Sequence, residues 1–157
     1  MDFDFAGRQA QILDVGRVVA DAQPTAVSMA TMQTRSGPLG LLRSSRSVLV
    51  VLTPDTMRLQ PIVPESLELD GEAIELTTQN IVGLGTRPNH VTVRGNRKQT
   101  LYAGTEVRVK TDAGGDYVLS LVDGTGNLFR DHPEAISAEI KGHYEVIVAW
   151  LGTAGPS

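Results

Sequence analysis

Six cations, Arg87, Arg94, Arg97, Lys98, Arg108 and Lys110, lie between positions 87 and 110 against one acid, Glu106, in a chain whose net charge is −4. Cations grouped on a rigid scaffold meet a phosphorylated headgroup, an anionic membrane surface or an acidic partner with little reorganisation, so these six form the candidate anion-binding set. The plainer reading is a solvated face whose charges keep an edge strand from pairing with another chain. Nucleic acid is not an expected partner. The net charge opposes a phosphate backbone, and Tyr102 is the sole aromatic residue in the basic segment on which a base could stack.

Other chemistries find less support. His90, His132 and His143 are scattered and form neither H-x-x-x-H nor H-E-x-x-H, so no metal is expected. Cysteine is absent, which excludes disulfides, thiolate ligands and a cysteine nucleophile. Ser120, Asp123 and a histidine make a triad on paper, yet no G-x-S-x-G elbow presents a serine. The carboxylates from Glu65 to Glu75 surround an Asp-Gly turn without the apolar neighbours that shift a carboxyl pKa. The glycines of "GLG" (83–85) and "DGTGN" (123–127) match no phosphate-loop pattern and read as turns. No enzyme activity and no cofactor are expected.

The elements that must position these residues follow from periodicity. In residues 5–22, Ile12, Val15, Val19 and Ala22 recur at helical spacing, with Gly7 and Gly16 weakening the helix, which Pro24 ends. "TAVSMATMQT" alternates as a strand, and Arg35 to Ser45 reads as a loop carrying apolar Leu39, Leu41 and Leu42. Val48 to Leu52 is a continuous apolar run, Thr53-Pro54-Asp55-Thr56 supplies a turn, and Met57, Leu59, Pro61 and Val63 alternate beyond it. The pattern predicts a β-hairpin with one strand deeply buried. Further short strands follow through Ile74 and Leu76, through Ile81, Val82 and Leu84, and in "HVTVRG", "LYAGTEVRVKT" and "DYVLSLVDG". By alternation, Arg108 and Lys110 share a face, and Arg97 and Lys98 sit at a hairpin tip. After Pro133 the period changes: Ile136, Ile140, Tyr144, Ile147 and Leu151 form a helical stripe.

This grammar of helix, clustered strands and helix predicts a mainly β (α+β) fold in one domain over 1–151. Its parts are an N-terminal helical extension (1–23), an antiparallel β core (24–130) and a C-terminal helix (131–151), with 152–157 as a flexible tail. Length and a hydrophobic content of 41% suffice for one core. The acidic N-terminus does not read as a signal peptide, and no apolar run approaches the roughly 20 residues of a membrane span, so a cytoplasmic location is expected.

The strand "ATMQ", the cadence "SVLVVLTPDTMRLQPI" and the strand into "NIVGLGTR" resemble the bacterial pleckstrin-homology-like and GRAM-like domains over residues 24–151. The resemblance implies a bent antiparallel sheet or β-barrel capped by the last helix, and a binding role. The family's basic signature lies around the first hairpin, where this chain has Arg35, Arg43 and Arg46. An apolar surplus at Leu39, Leu41, Leu42, Ile147, Trp150 and Leu151 supplies candidate interface residues for a protein partner or a homo-oligomer. The alternative is that these side chains complete the core. The expected function is therefore a non-enzymatic binding or assembly module. Anionic lipid or headgroup binding through 87–110 is the second reading, and a part in a larger assembly, such as a virus particle or secretion machine, the third.

Overall fold

In a computed structural model of the chain, residues 5–36, 42–63, 66–95, 98–122 and 138–154 are described. They form helix α1 (Phe5–Ala20), strands β1 (Ala26–Ser36), β2 (Leu42–Leu52), β3 (Thr56–Pro61), β4 (Ile74–Thr77), β5 (Ile81–Gly95), β6 (Lys98–Thr111) and β7 (Asp116–Val122), and helix α2 (Ala138–Ala154). The strands make one curled antiparallel sheet in the order β4-β3-β2-β1-β7-β6-β5. Two meanders, β1 to β4 and β5 to β7, join where Ala30–Thr34 of β1 pair with Tyr117–Leu121 of β7. Among the described residues β4 and β5 remain as edges, so the sheet is a half-barrel and not a closed barrel.

The apolar run in β2 follows from cover on both faces. Val48, Val50 and Leu52 point into the concave core with Ala30, Met32, Met57, Leu59, Val107, Val109, Leu119 and Leu121, where α2 inserts Ile147 and Leu151. Leu49 and Val51 point outward and pack with Val27, Ile62 and Leu67 beneath Ile12 and Ala20 of α1. A strand buried on both sides gains nothing from a polar residue at alternate positions. The turn after it forms as its residues dictate, with the Thr53 N–H and hydroxyl both donating to the Thr56 carbonyl, at 2.8 and 3.1 Å.

The first helix is thus a working part of the sheet, packed on its outer face, and not merely an extension. Gly16 permits the close approach: a Cβ there would lie 2.7 Å from Val27 Cγ2. Ala22 of the predicted stripe lies past the helix and is exposed. Arg58 of β3 closes the other end, its Nη1 donating to the carbonyls of Val19 and Ala20 at 3.1 and 2.9 Å, with Nη2 3.6 Å from Glu75. A guanidinium at a helix C-terminus meets both the unpaired carbonyls and the negative end of the dipole. Nearby, buried Gln60 gives its amide hydrogens to Pro61 and Gly71 carbonyls, which pins the segment between β3 and β4 across the same face.

Several strands run longer than predicted. Arg35 and Ser36 complete β1, and Leu42 to Ser45 begin β2 in register with it, so that of the predicted loop Arg35–Ser45 only residues 37–41 lie outside the two strands and outside the described residues. Gly83 to Gly85 are strand, not turn: β5 runs from Ile81 to Gly95 with a register shift between Ile81 and Gly83. That shift allows Ile81 and Leu84 both to face the core while Val82 stays 55% exposed. Pro88 is tolerated in β5 because this strand is an edge. At the C-terminus α2 continues through Gly152 to Ala154, where the sequence suggested a flexible tail, and the Thr153 hydroxyl bonds the Trp150 carbonyl at 2.9 Å. The predicted helix start near Pro133 falls outside the described residues.

Two stability outcomes follow. Gly16→Val should cost about 1–3 kcal/mol in urea denaturation through overpacking against Val27, and adding Val27→Ala should recover part of that loss. Arg58→Leu should cost about 1–3 kcal/mol and speed amide exchange selectively in α1, since the helix loses charged donors to its last carbonyls.

Candidate functional site

On β6, Val107 and Val109 turn into the core, so Glu106, Arg108 and Lys110 must share the outer face. Register completes that face in three cross-strand rows. Arg87, Glu106 and Ser120 form one, Gly85, Arg108 and Val118 the next, and Gly83, Lys110 and Asp116 the third. Helix α1 packs on the outer face over β1, β2 and β3.

The charges on these rows are largely matched within the chain. Arg87 donates through Nε to Glu106 Oε2. Arg108 forks onto Asp116, with Nε to Oδ1 at 3.3 Å and Nη2 to Oδ2 at 3.1 Å. The Asp116 hydrogen bond, reinforced by its opposite charge, raises the Arg108 guanidinium above its ordinary pKa. Lys110 has no carboxylate partner among the described residues; its methylenes lie along Gly83. Arg87, Arg108 and Lys110 against Glu106 and Asp116 leave one positive charge in excess. Between the ion pairs lies an open groove of about 350 Å³, lined by Gly85, Thr86, Arg87, Glu106, Arg108 and Val118.

The six cations are therefore only partly gathered. Arg108 and Lys110 share the outer face as parity predicted, and the β5–β6 register adds Arg87 to it. Arg94 and Lys98 belong to the far end of the β5–β6 hairpin, where Gly95 pairs with Lys98; their side chains and Arg97 fall outside the described set. Asp116 is the residue that sequence reasoning missed. It lies beyond the predominantly basic window of 87–110, and only the β6–β7 register brings it beside Lys110 and within reach of Arg108. Of the arginines near the first hairpin, Arg46 bonds the Asp70 carbonyl at 3.1 Å, and Arg35 and Arg43 pair along the β1–β2 backbone.

The candidate interface residues divide similarly. Ile147 and Leu151 are fully buried beneath α2, which corrects their assignment to an interface: a side chain with no exposed area has nothing to offer a partner. Trp150 is half-buried against the core. Leu42 belongs to β2 and not to a loop, while Leu39 and Leu41 lie outside the described residues. A residue the sequence reading passed over, Val146, is 42% exposed one turn before Trp150. Its signal was available, since positions 146 and 150 share a helix face distinct from that of 147 and 151. Among the described residues no three histidines or carboxylates converge as metal ligands would, and no helix is long and apolar enough to cross a membrane.

The ion-pair face should contribute little to folding compared with the core behind it. Arg87→Gln is expected to change stability by less than about 1 kcal/mol, because the arginine is 74% exposed, whereas Leu119→Ala should cost about 2–5 kcal/mol in the same urea titration. Compared with known proteins, the sequence matches no family model and no curated protein.

Proposed function

We propose that this chain is a docking module, a half-barrel of the pleckstrin-homology-like type that works by binding another copy of itself and not by covalent chemistry. The fold type is supported by the likeness of the "SVLVVLTPDTMRLQPI" hairpin and by a C-terminal helix seated against the concave face of the sheet. The observation that carries the docking role is the free side of α2. This helix commits Ile147 and Leu151 to the core yet keeps Val146 exposed, with the half-buried Trp150 one turn on. A tryptophan beside an aliphatic residue is the composition of an interface anchor. An apolar stripe is also self-complementary about a two-fold axis, because neither copy must supply a countercharge.

Light scattering across a range of protein concentrations tests the reading. The parent chain should approach twice its monomer mass, and Val146→Asp should return it to the monomer with its thermal stability unchanged, since the position is exposed. A monomer at every concentration, or a dimer indifferent to Val146→Asp, would overturn docking through α2.

A further inference from the structure

The groove on the outer face of β5, β6 and β7 has a specific origin. Long side chains rise from the rows on either side, but the middle row begins at Gly85, and open space lies where its Cβ would be. Arg108 leaves that row to fork onto Asp116, one register step along β7 from its own partner Val118. The result is a trough lined by Gly85, Thr86, Val118, the Arg87–Glu106 pair and Arg108, whose guanidinium is held by Asp116 beyond it.

Both arginines retain donors there. Arg87 engages Glu106 through Nε alone, which leaves its Nη groups, and Arg108 engages Asp116 through Nε and Nη2, which leaves Nη1. We infer that this trough binds a phosphate monoester, with the phosphate bridging Arg87 and Arg108 and a compact apolar ester group lying over Gly85 and Val118. A ligand carboxylate would only repeat what Glu106 and Asp116 already supply. A phosphate brings a third acceptor oxygen and a charge of about −1.5 to −2, enough to bridge two guanidinium groups that each keep their internal partner. The chain's net charge of −4 disfavours a broad anionic bilayer, so the fitting ligand is a single compact anion. The site is separate from the free side of α2, so either assignment can fail alone.

Titration with phenyl phosphate, followed by the backbone amide resonances of Gly85, Arg108 and Val118, tests the site, with benzoate as the carboxylate control and phosphatidylserine vesicles as the membrane control. Saturable shifts with phenyl phosphate, at least about tenfold weaker binding of benzoate and no vesicle sedimentation are expected. Gly85→Val projects a side chain into the trough from a Cβ position with no heavy atom within 4 Å, and valine suits a strand. It should therefore keep the fold and the melting temperature and weaken binding by about tenfold or more. Arg87→Gln, which leaves the floor intact, should weaken it by about tenfold as well. Absence of saturable shifts, equal affinity for benzoate, undiminished binding by Gly85→Val, or sedimentation with vesicles in place of phenyl phosphate binding would each overturn the inference.

Discussion

The pairing of β1 with β7 is the constraint on which the rest of the molecule depends. Strand β1 is shared: one edge holds β2 along its whole length, and the other holds β7 over Ala30–Thr34. Without that second ladder the two meanders would be separate ribbons, each with one apolar face in water. With it they become a single sheet whose curl creates a concave core, and α2 fills that core with Ile147 and Leu151. The ladder joins residues far apart in sequence, so much loop entropy is lost before it forms.

Both faces of the sheet are used, but unequally. The concave face carries the main apolar core, whereas the outer face changes character along its width. Over β1, β2 and β3 it carries a second apolar cluster beneath α1, with the approach allowed by Gly16 and the Arg58 clamp on the last carbonyls. Over β5, β6 and β7 it carries ion pairs that contribute little to stability, and it is on such ground, free of folding duty, that a binding site can be built at small cost.

The sequence disclosed most where local chemistry decided the outcome. The Thr53-Pro54-Asp55-Thr56 turn, the deep burial of Val48 to Leu52 and the shared face of Arg108 and Lys110 each follow from adjacent residues. It misled where long-range pairing overruled local signals. Gly83 and Gly85 suggested a turn, yet β5 runs through them because its partner β6 supplies the pairing along its length. Ile147 and Leu151 looked like surplus because the concavity they fill exists only once all seven strands have curled. Asp116 was overlooked because ion-pair geometry depends on register, and register cannot be read from a window of charge.

Pro88 has a further bearing on how the molecule survives in a crowded solution. The outer edge of β5 is long, and an unbroken row of amide donors there would be a template onto which copies could add indefinitely. A proline supplies no N–H, and the irregularity between Ile81 and Gly83 bends the strand a few residues earlier. Together they interrupt the template in two places, so the edge that borders the groove resists fibre growth although its backbone lies at the margin of the sheet.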